Sequence, residues 1–465
     1  MKYISTRGNA PSLGFSDVVL SGTARDGGLY VPERFIQFSR SDLRSMARLS
    51  YTQLAFTLLQ PYVGNALSEE DLRDILIDSY GDFDHAAIAP MVQLEDNLFA
   101  LELFHGPTLA FKDYALQFLG RLFDTLLSRS RRHITVIGAT SGDTGSAAIA
   151  ACRDKKTMDI FILHPEGRTS AIQRRQMTTV NAPNVHNIAV KGTFDDCQDI
   201  VKGLFADTAL TEEMHLTAIN SINWARILAQ VVYYFYAALR LGAPERPVAF
   251  TVPTGNFGNI YAGWVARQMG LPIIRLNVAT NHNDILTRFF NSGEMTINPV
   301  RPSASPSMDI QISSNFERLL FEIYGRDGGR VATVMKSFRN DGTFALSEAD
   351  MKDLRQIFTA HRIDDTVTLT TIRDTWQRSG YLLDPHTAVG IAAAQHNKVE
   401  AVQIALACAH PAKFPDVVLK ATGITPAIPA RLQSVLTDTE HFETQDNSLS
   451  KIRQRIRGQH ARVPA

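Results

Sequence analysis

With 465 residues, the chain is long enough for two or three domains that each bury a core. Lysine plus arginine and aspartate plus glutamate number 47 each, so the formal net charge is zero. This balance argues against a nucleic-acid or membrane surface as the main partner. The three cysteines lie far apart and never form CxxC, so we expect neither a disulfide framework nor a metal site. Without a signal peptide or an apolar run of the roughly 20 residues that span a bilayer, we expect a soluble cytoplasmic protein.

Residues 1–95 contain helix-start signals but no evident catalytic motif. The segments that begin at Ser41 and Ser68 each combine a capping residue with acidic side chains in the next turn. This pattern predicts a helical N-terminal domain or lid.

The segment 103–113, Leu-Phe-His-Gly-Pro-Thr-Leu-Ala-Phe-Lys-Asp, places one lysine at the start of an amphipathic helix. Apolar residues recur with helical spacing from Ala115 to Leu127, and Pro107 fits a turn but not a helix interior. Lys112 then lies at the positive end of the helix, which favours its neutral form. A neutral amine can form a Schiff base with a carbonyl, although this pattern alone also fits a solvated surface lysine.

A second motif follows a short strand predicted at 133–137. The loop 138–145, Gly-Ala-Thr-Ser-Gly-Asp-Thr-Gly, leads into a helix of small residues at 146–153. This order presents backbone N–H groups and a helix N-terminus to an anion. The loop has neither the lysine of a nucleoside-triphosphate loop nor GxGxxG spacing.

The third motif is a cap followed by a long apolar helix, predicted over 224–240. Residues 220–223, Asn-Ser-Ile-Asn, supply the cap, and Arg226 falls in the first turn, where a cation opposes the helix dipole. An anion bound between Arg226 and the cap would stabilise this arrangement. The alternative is a structural arginine that pairs with a nearby carboxylate.

The clearest anion-binding candidate is the loop 253–259, Pro-Thr-Gly-Asn-Phe-Gly-Asn, between a strand at 247–252 and a helix at 260–269. Glycine lets the backbone adopt positive φ and approach a ligand closely. The loop therefore predicts a phosphate site built from backbone groups, suited to a permanently held cofactor phosphate.

Alternating strands and helices continue after this loop and predict an α/β fold. Ser347 opens a helix to about residue 362, and a second helix is predicted at 368–379, so we expect a helical insertion near 340–380. The chain then returns to the core through a helix at 388–396 and a strand at 401–408.

Together these segments resemble the threonine synthase family, pyridoxal-phosphate enzymes of the tryptophan-synthase β-like fold, fold type II. The resemblance runs from 22–32 to 410–414, and its most specific part is 102–113, supported by 141–145 and 255–259. It implies two β/α open-sheet domains that flank a pyridoxal-phosphate cleft. The expected domains are an N-terminal helical domain at 1–95, a small α/β domain at 131–220, and a large cofactor-binding α/β domain at 96–130 and 221–465.

The resemblance implies the conversion of O-phospho-L-homoserine and water to L-threonine and phosphate, by γ-elimination of phosphate and addition of water at Cβ. The substrate would be this small molecule, with no nucleic-acid or membrane partner, and the protein would be a monomer or homodimer. Lys112 would be the catalytic residue, which first holds the cofactor as a Schiff base and then moves protons at Cα and Cβ.

The remaining site residues also follow from the resemblance. Loop 255–259 would hold the cofactor phosphate, segment 141–144 the substrate carboxylate, and Asn220, Ser221 and Arg226 the substrate phosphate. The residues implied to contact the cofactor are Lys112, Asp143, Gly255, Asn256, Phe257, Gly258, Asn259 and Cys408. Those implied to contact the substrate are Ser141, Gly142, Thr144, Asn220, Ser221 and Arg226.

Two positions depart from the commonest pattern. Asp143, which would face the cofactor ring hydroxyl, stands where relatives of the wider fold often carry Asn. Cys408 stands where many members have a Thr hydroxyl near the pyridine nitrogen. A thiol or hydroxyl there leaves that nitrogen unprotonated, and some relatives use a cysteine, so we expect activity to survive.

Two other functions fit parts of the pattern. A threonine or serine dehydratase-like lyase of the same fold would use no substrate phosphate and would need no Arg226. A non-catalytic homologue would bind a phosphorylated ligand without turnover. A dinucleotide-dependent dehydrogenase is disfavoured because no GxGxxG motif is followed by an acid.

Overall fold

The computed structural model of the protein describes residues 1–397 and 399–460. Its strands are β1 (Tyr3–Ser5), β2 (Tyr30–Pro32), β3 (Met91–Glu95), β4 (Leu98–Glu102), β5 (Ile134–Ala139), β6 (Met158–Pro165), β7 (Val185–Lys191), β8 (Leu216–Thr217), β9 (Val248–Pro253), β10 (Ile273–Thr280), β11 (Glu294–Thr296), β12 (Thr343–Ala345), β13 (Phe358–Arg362), β14 (Val402–Ala407) and β15 (Glu443–Asp446).

The helices are α1 (Phe15–Ser21), α2 (Arg40–Met46), α3 (Tyr51–Val63), α4 (Glu69–Tyr80), α5 (Lys112–Ser130), α6 (Asp143–Cys152), α7 (Ala171–Thr178), α8 (Phe194–Ala206), α9 (Thr208–Met214), α10 (Trp224–Arg240), α11 (Gly258–Gln268), α12 (Ile285–Ser292), α13 (Phe316–Ile323), α14 (Gly328–Asp341), α15 (Glu348–Ile357), α16 (Asp365–Ser379), α17 (Pro385–His396), α18 (Pro415–Thr422), α19 (Ala430–Thr437) and α20 (Leu449–His460). Among the helices of the described residues, none has both the length and the apolar composition that a membrane span requires.

The chain forms two compact units. Unit 1 comprises Met1–Ala115 and Ser221–Ala427, and unit 2 comprises Leu116–Asn220 and the described residues from 428 to 460. Residues 1–95, which were predicted as a separate domain, lie within unit 1. Strand β3 pairs with β4, and the Asn223 side-chain amide donates to the Val19 carbonyl at 2.8 Å.

Three predicted site segments follow neighbouring parallel strands of the unit 1 sheet. The sheet has the order β13-β10-β9-β14-β4-β3, in which β3 and β4 are antiparallel and the other neighbours are parallel. The carboxyl ends of β9, β14 and β4 therefore lie at one edge of the sheet. The chain leaves this edge into loop 254–259, into Cys408 and into segment 103–111, respectively. Ligands of open α/β sheets bind at this kind of edge.

The core of unit 1 is built on α10 and β9. Every residue of α10 except Arg240 is buried, and all six residues of β9 are buried. A helix that is buried on all sides belongs in a core, and a strand between two parallel neighbours is covered on both faces. The predicted bounds of the helix over 224–240 are confirmed.

The segment predicted as a helical insertion near 340–380 also contributes a strand to the main sheet. Helix α15 ends at Ile357, before the predicted end near 362, and β13 pairs in parallel with β10. Buried Phe358 and Ala360 alternate with less buried neighbours, which is the period of a strand rather than of a helix.

Unit 2 contains a five-stranded parallel sheet of order β15-β7-β6-β5-β8. Strand β15 pairs with β7, and Ile452 and Ile456 of α20 are fully buried in the unit 2 core. For this reason the residues from 428 to 460 belong to unit 2, whereas the sequence analysis placed 221–465 in the large domain. Residues 461–465 of that prediction lie outside the described part of the chain.

Candidate active site

Lys112 is the first residue of α5 and is only 6 % exposed. Its Nζ lies 5.2 Å from the centroid of the Phe111 ring. The low exposure excludes the solvated surface lysine that the sequence pattern alone left open. A buried amine at the positive end of a helix is favoured in its neutral form.

The turn before Lys112 is held by buried charged residues. Asp113 accepts hydrogen bonds from the Thr108 backbone N–H at 2.8 Å and from its hydroxyl at 2.7 Å. The Lys413 ammonium donates to the Thr108 carbonyl at 2.7 Å. A Cβ on Gly106 would lie 2.5 Å from the Asp113 Cβ, so only glycine fits there. Burial raises the pKa of Asp113, and the hydrogen bonds from Thr108 act in the opposite direction.

Cys408 is buried and adjoins the segment that carries Lys112. Its carbonyl accepts a hydrogen bond from the Phe111 N–H at 2.8 Å, and its own N–H donates to the Thr387 hydroxyl at 3.0 Å. Helix α5 therefore starts beside the end of β14. The structure brings the two predicted cofactor contacts Lys112 and Cys408 onto adjacent backbone segments.

Loop 255–259 makes a close, strained turn from β9 into α11. Phe257 adopts φ 60°, a left-handed conformation that is uncommon for a residue with a side chain. A Cβ on Gly255 would lie 2.9 Å from the Ser307 carbonyl oxygen. In this loop Asn256 is exposed, Gly255 and Gly258 are half-buried, and Phe257 and Asn259 are buried. The turn leads directly into the N-terminus of α11, the kind of backbone position where anions bind.

The residues that brace this loop were not predicted from the sequence, and they come from the segment just before α13. Ser313 donates to the Gly255 carbonyl at 2.7 Å. The Asn315 side-chain amide donates to the Asn256 carbonyl at 2.9 Å and to the Ser221 carbonyl at 3.0 Å. Asn315 thereby links the predicted cofactor loop to the predicted substrate residue Ser221. The sequence signal that could have identified them is the run of Ser and Asn side chains at 313–315, directly before α13.

Arg226 lies in the first turn of α10 and is 5 % exposed. Its Nη1 has no hydrogen-bond partner in the described protein, and no carboxylate there contributes to its charge environment. Burial lowers the pKa of the guanidinium to about 10. The structural alternative, an arginine paired with a carboxylate, therefore does not apply to the described residues. An unsatisfied buried donor of this kind fits an anionic ligand.

Unit 2 carries the loop that leads into α6. Of its predicted site residues, Ser141 is exposed, Thr144 is half-buried, and Gly142 and Asp143 are buried. The Thr140 hydroxyl accepts the N–H groups of Gly142 at 3.0 Å and Gly145 at 2.9 Å. The Gln173 amide donates to the Asp143 carboxylate at 2.8 Å. Thr140 and Gln173 hold this loop in shape, and the sequence analysis assigned neither of them.

The predicted site residues fall in both units. Lys112, Cys408, loop 255–259, Ser221 and Arg226 belong to unit 1, and Ser141, Gly142, Asp143, Thr144 and Asn220 belong to unit 2. Asn220 is half-buried after β8, directly before the boundary with Ser221.

Three family models match the chain. "Threonine synthase N terminus" matches residues 2–80, "Pyridoxal-phosphate dependent enzyme" matches 85–337, and "Threonine synthase, C-terminal" matches 387–456. The threonine synthase of Pseudomonas aeruginosa is 50% identical over 455 residues, which cover 97% of both chains. That of Saccharomyces cerevisiae is 43% identical and covers 90% of this chain and 88% of its own.

Solved structures agree with these sequence relatives. The pyridoxal-phosphate-bound threonine synthase from Brucella melitensis has a TM-score of 0.97 at 49% identity, with 99% of each chain covered. The yeast threonine synthase has a TM-score of 0.93 at 39% identity, also with 99% of each chain covered. The predicted α/β fold of type II and the predicted cofactor are confirmed. The chain belongs to the threonine synthase family of pyridoxal-phosphate-dependent lyases.

Proposed function

We propose that the protein converts O-phospho-L-homoserine and water into L-threonine and phosphate. The observation that supports a phosphate-bearing substrate is Arg226, a buried cation whose Nη1 has no partner among the described residues. A lyase whose substrate carries no phosphate has no use for such a group.

The residues of unit 1 fit pyridoxal phosphate. Lys112 supplies a buried amine, and the turn at 255–259 packs so closely against the Ser307 carbonyl that position 255 has no room for a Cβ. Lys112 would bind the cofactor carbonyl, loop 255–259 its phosphate, and Cys408 the ring nitrogen. From unit 2, Asp143 would contact the ring hydroxyl. When bound, the cofactor supplies an electron sink for negative charge at the substrate carbon atoms.

Lys112 would carry the protons of the reaction. Its neutral amine, once free of the cofactor, accepts the proton from Cα and exchanges protons at Cβ. Burial removes competing water from this amine, and the clamp of Asp113 and Lys413 on Thr108 fixes the position of the helix start.

The substrate would be held at both of its anionic groups. Ser141, Gly142 and Thr144 would hold its carboxylate at the N-terminus of α6. Asn220, Ser221 and Arg226 would hold its phosphate. A guanidinium hydrogen bond to phosphate is charge-assisted and short, so Arg226 would orient the phosphate that leaves Cγ before water adds at Cβ.

The proposal is tested with purified protein and O-phospho-L-homoserine. We expect phosphate and L-threonine in equal amounts, and a fall in turnover on the order of 10³-fold or more for Lys112→Ala. Lys336→Ala, which removes an exposed lysine of unit 1, serves as the control. Borohydride should fix the cofactor to Lys112, as peptide mapping would show. Phosphate release by Lys112→Ala at the wild-type rate would refute the proposal.

Two further expectations remain predictions. The protein is expected to be a monomer or homodimer and to act in the cytoplasm. Analytical ultracentrifugation of the purified protein would determine the first.

A further inference from the structure

The start of α17 contains a buried polar cluster of Asp384, His386 and Thr387, to which the proposed reaction assigns no role. The three residues are 1 %, 3 % and 1 % exposed. One oxygen of Asp384 accepts from the His386 ring Nδ1 at 3.0 Å and from its backbone N–H at 2.9 Å. The other oxygen accepts from the Thr387 hydroxyl and from its backbone N–H at 3.3 Å. One carboxylate thus fixes both neighbouring side chains.

His386 connects this carboxylate to the wall of the phosphate loop. Its Nε2 accepts the Ser307 backbone N–H at 3.1 Å. A backbone N–H can only donate, so Nε2 carries the lone pair and the ring proton lies on Nδ1, where it is donated to Asp384. The Ser307 carbonyl in turn lies 2.9 Å from the position of a Cβ on Gly255. His386 therefore fixes the backbone that borders loop 255–259.

Thr387 connects the same carboxylate to the other end of the site. Its hydroxyl donates to Asp384 and accepts the Cys408 N–H at 3.0 Å. The Cys408 carbonyl accepts the Phe111 N–H at 2.8 Å, one residue before Lys112. The position of Cys408 and the start of α5 therefore depend on Thr387.

We propose that Asp384, His386 and Thr387 are positioning residues, which set loop 255–259 at the phosphate end and Cys408 at the ring end of the cofactor relative to each other. None of the three needs to touch the cofactor. The Asp384 carboxylate orients both His386 and Thr387. A single buried group therefore fixes the backbone at the phosphate end and the backbone at the ring end of the site. This inference rests on the proposed function, since it takes Cys408 and the loop as cofactor contacts.

The phosphate end is tested with His386→Phe, which keeps a ring against Phe414 but removes the acceptor for the Ser307 N–H. We expect the holoenzyme to release pyridoxal phosphate about tenfold faster, the order expected for one buried hydrogen bond. The bound phosphate should also change its ³¹P chemical shift. His386→Gln, whose amide oxygen can replace Nε2, should restore both values. His396→Phe, in the last turn of the same helix, is the control.

The ring end is tested with Thr387→Val, which removes the acceptor for the Cys408 N–H. We expect the pH dependence of the bound cofactor's absorption spectrum to shift by about half a pH unit or more, because the ring nitrogen loses a fixed partner. Thr387→Ser should keep the wild-type spectrum. Thr368→Val removes another buried threonine hydroxyl, which binds the Asp364 carbonyl at 2.8 Å, and should leave the spectrum unchanged.

The outcomes separate the two proposals. A wild-type protein that binds no pyridoxal phosphate and releases no phosphate from the substrate would overturn the proposed function. An active wild type, with His386→Phe and Thr387→Val equal to their controls in cofactor release and spectrum, would overturn the positioning role alone. If His386→Phe does not fold, His386→Asn carries the same test, because its amide can still donate to Asp384 but cannot reach Ser307.

Discussion

Two buried arginines in unit 1 differ in how their hydrogen-bonding groups are used. Arg318 donates to the Tyr30 carbonyl at 3.0 and 3.1 Å, to the Ile222 carbonyl at 2.6 Å, and to the Asn315 side chain. Arg226 has an Nη1 that lacks any such partner in the described chain. Burial lowers the pKa of both to about 10.

The difference indicates two kinds of buried cation. The cost of burying Arg318 is offset by its backbone partners, which tie the N-terminal segment to α13. The cost of burying Arg226 is not offset by the protein itself. A buried cation that destabilises the fold, in the first turn of α10, fits a role in binding an anion.

Of the two arginines, Arg226 is expected to have the larger effect on activity when it is replaced by methionine. Loss of a charge-assisted contact to the substrate phosphate should lower kcat/KM about 10³-fold, which corresponds to about 4 kcal/mol. The free energy of unfolding should stay equal or rise, because an apolar side chain of similar size replaces an unpaired charge. Steady-state kinetics and urea unfolding measure the two quantities. Arg226→Lys keeps a charge without the planar fork and should be intermediate in activity.

The opposite result for Arg226→Met would contradict the proposed binding role. If Arg226→Met lost stability while its kcat/KM stayed within about threefold of wild type, Arg226 would be structural. The comparison with Arg318 would then fail.

The reverse pattern is expected for Arg318→Met. Removing the guanidinium takes away the bonds that it donates to the Tyr30 and Ile222 carbonyls and to the Asn315 amide oxygen, so the free energy of unfolding should fall by about 4 kcal/mol. Urea unfolding measures this loss. The kcat/KM of the folded fraction should fall by less than about tenfold, since Arg318 is connected to loop 255–259 indirectly, through Asn315. Wild-type stability in this variant would contradict the structural role.

The partly buried His410 gives a prediction about the pH dependence of stability. Burial lowers the pKa of His410 from its ordinary 6.5 to about 4, so the folded protein binds fewer protons than the unfolded chain between these values. The contribution of His410 to the free energy of unfolding is therefore fully present above about pH 6.5. It is lost as the pH falls towards 4, and the loss amounts to at most about 3 kcal/mol. His410→Asn keeps an acceptor for the Ala412 N–H, bound at 3.1 Å, without a titrating ring. This variant should lose less stability in acid.

The matched control for His410 is His85→Asn. His85 accepts the Ala87 N–H at 3.0 Å through the same ring atom, but its side chain is exposed. We expect this variant to keep the acid sensitivity of wild type in urea unfolding at several pH values. Equal curves for wild type and His410→Asn would show that His410 does not contribute.

The sequence predicted the parts of the site whose signals are local. Lys112 at a helix start, Arg226 in a first turn and the Gly-Asn loop after a strand all follow from short-range patterns. The partners of these groups could not be predicted in this way, because Arg318 and Tyr30 lie 288 residues apart and His386 and Ser307 lie 79 apart. Such contacts depend on the tertiary fold.

The same reason explains the differences in the fold. Strand β15, Glu-Thr-Gln-Asp, is polar and four residues long, and it becomes a strand only because β7 offers an unpaired edge. Strand β13 follows directly from α15 without a turn signal. The order of the parallel strands places the three site segments at one edge of the sheet. This order could not be predicted from local sequence patterns either.

The smallest effect is expected for Gly255→Ala. This variant tests whether the network of hydrogen bonds that begins at Arg318 also holds the predicted cofactor loop 255–259. Arg318 orients Asn315, Asn315 donates to the Asn256 carbonyl, and a Cβ at 255 would lie 2.9 Å from the Ser307 carbonyl. The backbone cannot yield as a flexible side chain would, so the free energy of unfolding should fall by about 1–2 kcal/mol. The holoenzyme should also lose pyridoxal phosphate faster. Gly14→Ala, where a Cβ meets nothing within 4 Å, should change neither quantity. Equal cofactor release from both variants would show that the loop is not held as closely as Asn315 and Ser307 indicate.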